Sequence, residues 1–187
     1  MKAEAKIKQN IFAFNLNPNI KEGSDTFNRI KELAHSYKNK YELIKDTVYK
    51  ELTLSGAILG VTAKHNLVPT VGRSVFCQLL AGDTTYSGEV TYGALGSAAT
   101  PAFTNSDTTL TTEVYRKAVS SASASDNVAY IDLFIAQADV ADATYQEFGY
   151  FIDGTSSVDT GQAWSLLKTG GWVKSGSLFV SGQYTIN

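Results

Sequence analysis

The first strong hydrophobic pattern in the chain spans residues 24–50 and has the period of a helix. Its apolar residues recur at alternating spacings of three and four, which places them on one helix face. Such a face is stable in water only when another surface covers it. We therefore predict an amphipathic attachment helix with one partner-binding face. The predicted partner-binding residues are Phe27, Ile30, Ala34, Tyr37, Tyr41, Ile44 and Val48.

Several surfaces could cover this predicted helix. If Phe27 takes position a of a heptad, Lys40 faces Lys45 of a neighbouring parallel helix, so the pattern does not specify self-pairing. A self-associating bundle stays open, as do docking onto a different protein and docking onto the protein's own sheet. Attachment to another molecule is our working hypothesis.

Residues 1–23 precede the helix and are typical of an extended arm. Pro18 interrupts any helix in this stretch, whereas Ser24 and Asp25 supply an N-cap and a first-turn acid for the helix that follows. We expect the arm to become ordered on a partner. Residues 1–50 are thus the first predicted domain, an N-terminal arm followed by an amphipathic attachment helix.

From residue 51 onward the pattern changes to that of β-strands. A long bent strand is predicted over residues 52–63, with Gly56 and Gly60 as candidate bulges, and a short helix over residues 69–82. Further strands are predicted over residues 89–95, 114–123, 128–137, 145–152, 163–168, 172–174 and 178–186. This succession favours a mainly β fold for residues 51–187, an antiparallel β-sandwich or jelly roll with one internal short helix.

Composition and charge narrow the function classes. The chain of 187 residues is 43% hydrophobic and 18% charged, which is enough for one sizeable core with an extension. Residues 1–50 hold ten Lys and Arg against six Asp and Glu, whereas residues 51–187 hold six against twelve, so their net charges are +4 and −6. The lysines alternate with acids and form no arginine cluster, and no apolar segment is long enough to span a bilayer, so we expect neither nucleic-acid nor membrane binding. The single Cys77 suits a reducing compartment.

The sequence offers no arrangement typical of catalysis. His35 and His65 are its only histidines, and neither has a second histidine or a cysteine at ligand spacing or lies beside a recognisable nucleophile motif. Asp139 and Asp142 flank an alanine-rich bend, where they are expected to cap or turn the chain, and a Ca²⁺ ion there is left open. The acidic residues considered for glycoside hydrolysis have no signature spacing; they are Asp132, Asp139, Asp142, Glu147, Asp153 and Asp159. We therefore expect a non-enzymatic protein with no catalytic, cofactor-binding or metal site.

A series of short motifs follows in a fixed order through the β-rich part. They occupy residues 66–68 with Gly72, then 79–82, 91–96, 109–119, 147–151 and 174–175. In this order they resemble a group of tailed-bacteriophage structural proteins, usually described as tail, fibre-associated or minor virion proteins. The resemblance covers residues 52–187. The chain departs from that group in residues 96–101, which hold less glycine and threonine than usual, and in the preceding helix, which is not a fixed feature of the group.

The resemblance implies a structural role in the virion and no activity. We expect an adaptor or fibre-attachment protein of the tail or neck region that docks through its N-terminal helix onto other virion proteins and forms homo-oligomers. Its location would be the virion, after assembly in the host cytoplasm. The alternatives are a module that binds a host surface or glycan, and a capsid decoration or head-fibre protein.

Overall fold

The structure, a computed structural model, describes residues 7–186. Within that range the helices are α1 (Asp25–Ser36), α2 (Lys40–Leu43), α3 (Thr47–Leu54) and α4 (Thr70–Leu80). The strands are β1 (Ile7–Leu16), β2 (Ile58–Lys64), β3 (Val90–Gly96), β4 (Glu113–Ala118), β5 (Ser121–Ser125), β6 (Val128–Ile135), β7 (Ala143–Ile152), β8 (Gln162–Lys174) and β9 (Ser177–Ile186). The fold is mainly β and contains two antiparallel sheets, which confirms the predicted fold class at this level.

The chain divides into two compact units that alternate along the sequence. The described part of the first unit comprises residues 7–65, 120–142 and 174–186, and its five strands follow the order β2-β1-β9-β6-β5. The second unit comprises Asn66–Val119 and Ala143–Val173, and it holds α4 and a four-stranded sheet in the order β4-β3-β7-β8. The predicted boundary between residues 50 and 51 lies inside the first segment of the first unit, residues 7–65.

Strand β1 occupies ten of the 23 residues of the predicted arm. It pairs antiparallel with β2 on one side and β9 on the other, so that Ile11 lies opposite Lys64 and Gly182. Ile11, Phe12, Ala13 and Phe14 are all buried, and a short continuous apolar run is typical of a fully buried strand. The expectation that the arm awaits a partner is therefore wrong for residues 7–16, and residues 1–6 lie outside the described residues.

The single helix predicted over residues 24–50 is three helices. Tyr37 is in an extended conformation and ends α1, and two new helices start where side chains cap them. Asn39 accepts a hydrogen bond from the Glu42 amide at the start of α2, and Asp46 accepts from the amides of Val48 and Tyr49 at the start of α3. Capping by Asn and Asp competes with a continuous helix, and here it interrupts an unbroken hydrophobic pattern.

The predicted strand over residues 52–63 is only partly correct. Helix α3 continues to Leu54, and Gly56 has a φ of +74°, which reverses the chain before β2 begins at Ile58. A bulge does occur next to Gly60, because Asn15 pairs with Gly60 and Leu16 with Ile58, which leaves Leu59 without a register partner.

In the second unit, the elements with strong local signals are confirmed. Helix α4 falls within the predicted range 69–82, and Gly82, at a φ of +79°, follows its end as expected. The strands expected near residues 89–95 and 145–152 are β3 and β7, which pair with each other.

Two further expectations about strand boundaries are wrong. Residues 114–123 are not one strand, because β4 pairs with β3 in the second unit whereas β5 pairs with β6 in the first. Gly170 and Gly171, with φ values of +70° and +97°, do not separate two strands but lie inside the continuous strand β8. The predicted hairpin around residues 125–127 is present as the β5–β6 connection.

Candidate partner-binding surface

Three of the predicted partner-binding residues lie in the core of their own unit. Phe27, Ile30 and Ala34 project from α1 and are almost fully buried, at 4%, 0% and 0% exposure. The Phe27 ring makes edge-on contacts with Phe134 of β6 and Phe179 of β9, at centroid distances of 5.1 and 5.0 Å. Because the protein's own sheet covers this part of the helix face, these three residues are not available to another molecule.

The remaining predicted residues divide between partial burial and exposure. Tyr37 and Val48 are half-buried and pack against the same core. Tyr41 and Ile44 are 66% and 37% exposed. The predicted binding face is therefore not a continuous one, and within it only the side chains that follow the end of α1 reach the surface.

Both ends of this exposed segment are anchored to the first unit. The Gln183 side-chain amide on β9 donates hydrogen bonds to the backbone carbonyls of Ala34 and Tyr37, the latter at 3.0 Å. The Tyr37 hydroxyl donates to the Asp46 carboxylate at 2.6 Å, and Leu43 of α2 is fully buried. The segment that bears Tyr41 and Ile44 is thus held as a defined surface.

Asp46 joins the start of α3 to the end of α1. The hydrogen bond from Tyr37 lowers the pKa of the Asp46 carboxyl below its ordinary value. Burial opposes this effect, while the amides of Tyr49 and Val48 and the charge of Lys50 support it. The carboxylate is therefore ionised at neutral pH and already has its hydrogen-bond partners inside the unit.

Lysines flank the exposed tyrosine and isoleucine along the sequence. The Lys45 ammonium lies 3.6 Å from the centre of the Tyr41 ring, a cation–π geometry. Four exposed lysines belong to this segment: Lys38, Lys40, Lys45 and Lys50. Glu42 is its one exposed acid, since Asp46 is half-buried. We call Tyr41, Ile44 and these four lysines the basic surface.

Two leucines on α3 and β2 are also exposed. Leu54, the last residue of α3, is 89% exposed, and Leu59, at the bulge of β2, is 48% exposed. Strand β2 is an edge strand, and both α2 and α3 contact it. Exposed apolar side chains beside an edge strand are typical of a surface that binds other proteins.

A buried aspartate of the sheet binds two basic side chains of α1. Asp132 of β6 has a side chain that is 2% exposed, and its carboxylate lies 3.0 Å from His35 Nε2 and 3.2 Å from Lys31 Nζ. The hydroxyls of Ser121 and Ser181 donate to the same carboxylate at 3.0 and 2.8 Å. Since both hydroxyls donate to the carboxylate rather than to the imidazole, this is not the order of contacts that activates a serine nucleophile.

The environment of Asp132 shifts its titration in two opposing directions. Burial alone would raise the pKa of the carboxyl, but the hydrogen bond and charge of His35, the hydroxyl of Ser181 and the charge of Lys31 outweigh burial and lower that pKa. A single aspartate within the apolar strand Val128–Ile135 was the available signal for such a site. The sequence does not reveal that its basic partners, Lys31 and His35, come from α1.

We expect the substitution Asp132→Asn to change how stability depends on pH. Because the pKa of Asp132 is lower in the folded than in the unfolded protein, the carboxylate stabilises the fold above about pH 4, and this contribution is lost as the pH falls through the folded-state pKa. D132N should lower the free energy of unfolding at neutral pH by about 1–3 kcal/mol. Urea unfolding of both proteins should show this difference narrowing below about pH 4. A difference that stays constant down to about pH 3 would contradict the assignment.

In the second unit, three charged residues of the sequence motifs form buried ion pairs: Glu113, Arg116 and Glu147. Glu147 is fully buried, and its carboxylate lies 2.5 Å from Lys168 Nζ and accepts hydrogen bonds from the amides of Thr111 and Thr112 at 3.0 and 2.9 Å. Burial would raise the pKa of Glu147, but Lys168 and these amides lower it. The Ala98 amide also donates to this carboxylate at 3.3 Å, so Glu147 fixes both ends of the stretch between β3 and β4.

Further motif charges are paired in the same way. Arg116 forms a bidentate pair with Glu113, at 2.7 and 2.8 Å, and both side chains are 2% exposed. In the first unit, Lys174 is fully buried, and its ammonium donates to the backbone carbonyls of Gln137 and Val140 and to the Asp142 carboxylate at 3.0 Å. These motif positions supply structural contacts rather than exposed reactive groups.

The other residues considered for chemistry are engaged in local contacts. His65 Nδ1 donates to the Gln9 carbonyl at 2.7 Å, and the Asp139 carboxylate accepts from the Ala136 amide at 2.8 Å in a short 3₁₀ turn. Among residues 7–186, no three His, Cys, Asp or Glu side chains come together in a group that could hold a metal ion. In the same part of the chain, every helix is too short or too polar to cross a bilayer.

No protein-family model, curated protein or solved structure matches this chain. The resemblance to phage structural proteins therefore remains a prediction that rests on the order of its sequence motifs.

Proposed function

We propose that this protein is a non-enzymatic structural component of a tailed-phage virion, an adaptor or fibre-attachment protein of the tail or neck region. In this proposal it forms homo-oligomers and contacts other virion proteins. Two antiparallel sheets are compatible with the β-sandwich or jelly roll that the sequence predicts, and we include that arrangement in the proposal.

The observation that carries the proposal is that charged residues of the sequence motifs form buried ion pairs. Glu113, Arg116, Glu147 and Lys174 are each buried in an ion pair within their own unit. Buried charges of this kind are costly unless they are paired and hydrogen-bonded. The charges of these motifs therefore stabilise the fold. Motifs that maintain a fold are what we expect of a virion structural protein.

The proposed mode of attachment differs from the one expected from the sequence. Because Phe27, Ile30 and Ala34 are covered by their own sheet, α1 as a whole is not the attachment device. The basic surface is instead the surface that we assign to contact with another protein molecule, since it combines exposed apolar side chains with unburied lysines. Such a mixture is typical of protein interfaces, in which an apolar centre is surrounded by polar residues.

The proposal is tested on particles of the phage whose genome encodes the chain. Mass spectrometry of gradient-purified particles should find the protein at a fixed copy number, and immunogold labelling should place it at the tail or neck. Its absence from purified particles would overturn the proposal. Labelling on the head would favour the capsid decoration or head-fibre alternative instead.

The host-surface alternative is distinguished by a separate measurement. The purified protein should show no saturable binding to host cells or to a glycan array if its role is only structural. Binding that a soluble sugar inhibits would favour the glycan-binding alternative.

A further inference from the structure

A group of loops in the second unit has a character opposite to that of the basic surface. The loop after α4 and the turn after β7 lie side by side, because the Ser87 amide donates to the Asp153 carboxylate at 2.8 Å and the Asp153 amide donates to the Glu89 carbonyl at 3.1 Å. Asp83, Glu89 and Asp159 are exposed on these loops. We call these three residues and Asp153 the acidic end.

Exposed apolar side chains accompany the acidic end. Leu80, the last residue of α4, is 74% exposed, and Val158, in the turn after β7, is 60% exposed. The turn is ordered by its own hydrogen bonds, since the Thr160 hydroxyl accepts from the Thr155 amide at 2.9 Å and donates to the Ser157 carbonyl at 2.7 Å. Val158 is therefore presented on a defined loop.

Arg116, a cation that reaches the acidic end, is already neutralised by Glu113. Arg116 Nη1 donates to the Thr160 carbonyl at 2.7 Å, but the same guanidinium is paired with Glu113 and is almost fully buried. The second unit as a whole, residues 66–119 and 143–173, holds four Lys and Arg against seven Asp and Glu, a net charge of −3. The acidic end thus presents negative charge to any approaching surface.

We propose that the basic surface of one copy binds the acidic end of a neighbouring copy of this chain. Lysines around Tyr41 and Ile44 would face acids around Leu80 and Val158, so both the charges and the apolar centres are complementary. This inference deepens the proposed function, and it rests on that proposal for the expectation of a homo-oligomer.

The charges also disfavour the simplest alternative arrangement, a symmetric dimer. Two basic surfaces, or two acidic ends, would place like charges opposite each other, which disfavours a symmetric dimer through either surface alone. The contact that remains joins two different surfaces. Repetition of such a contact produces a ring when the rotation closes and a filament when it does not.

Charge reversal tests the contact on the full-length protein. The first variant is K40E/K45E and the second is D83K/E89K, and all four positions are exposed. Each variant alone should raise the dissociation constant of self-association by about tenfold or more. An equimolar mixture of the two should associate again, because each reversed surface then meets a complementary one. Sedimentation velocity at low salt measures the mass of the assemblies that each variant and the mixture form.

Controls separate the contact from a general effect of charge. K21E/K64E changes the net charge by the same amount as K40E/K45E, but at two exposed lysines outside the basic surface. It should leave the association unchanged. Circular dichroism melts verify that every variant is folded. Added salt should weaken the association of the unaltered protein, because exposed charges are screened.

Each other result would overturn the inference. An unaltered protein that stays monomeric at every concentration, an oligomer that is insensitive to either reversal, or a mixture that fails to associate would each exclude this contact. The proposed function fails separately, when the protein is absent from purified particles. If the protein is found in purified particles but the mixed variants fail to associate, the proposed structural role stands and only this contact is excluded.

Discussion

Replacing Phe27 with alanine is expected to lower the free energy of unfolding by about 3–5 kcal/mol. The ring is 4% exposed and lies between Phe134 and Phe179, so its removal leaves a cavity where α1 packs on the sheet. Urea denaturation followed by circular dichroism measures the change. The result matters for function, because a helix that contributes this much to the core cannot also detach to bind a partner.

Tyr41→Ala is the matched control for Phe27→Ala. Both residues belong to the same predicted partner-binding face and both substitutions remove an aromatic ring, but Tyr41 is 66% exposed. Y41A should change the free energy of unfolding by no more than about 0.5 kcal/mol. If F27A also lowered the free energy of unfolding by no more than about 0.5 kcal/mol, α1 would not be packed as described.

Glu147→Gln should lower the free energy of unfolding by about 3–5 kcal/mol. The substitution keeps the size of the side chain but removes the charge that faces Lys168, whose ammonium is 2.5 Å away and mostly buried. It also weakens the acceptor for the Thr111 and Thr112 amides. Hydrogen exchange should show faster exchange of these two amides, because the stretch between β3 and β4 loses its anchor.

Glu89→Gln provides the control in the same unit. Glu89 is exposed, so the same chemical change should cost no more than about 0.5 kcal/mol and leave the exchange of the Thr111 amide unaltered. If E147Q behaved like E89Q, the Glu147 carboxylate would not be the anchor of this loop.

Elements whose signals are local could be predicted from the sequence. Helix α4 combines a helical apolar face with Gly82 at its end, and the β5–β6 hairpin has Asp126 at its turn with a φ of +52°. In these cases residues next to each other in the chain decide the structure. The mainly β class followed from the same short-range patterns.

The errors occur where tertiary contacts or single polar residues overrule the pattern. Asn39 and Asp46 divide one apparent helix into three, because their side chains satisfy the amides of a new helix start. Gly170 and Gly171 lie within β8, although paired glycines usually indicate a turn. The separation of β4 from β5 depends on which sheet each strand joins, and the residues 114–123 carry no signal for that choice.

The candidate binding surface was predicted in part. Tyr41 and Ile44 belong to the predicted face and are exposed, whereas Phe27, Ile30 and Ala34 fit the same period and are buried. Periodicity shows that a face must be covered but not what covers it. The roles of Asp132 and Glu147 depend on Lys31 and His35 and on Lys168, and only the fold brings these partners together.

The pairing of β1 with β9 has a consequence for how the protein folds. Ile7 lies opposite Ile186, so the central ladder of the five-stranded sheet joins residues that are far apart in the chain. The second unit, by contrast, is complete before residue 174. On the ribosome it can fold first, while β1 must wait for β9 to emerge. A topology of such high contact order predicts slow folding of the first unit and a period in which the apolar strand β1 depends on chaperones.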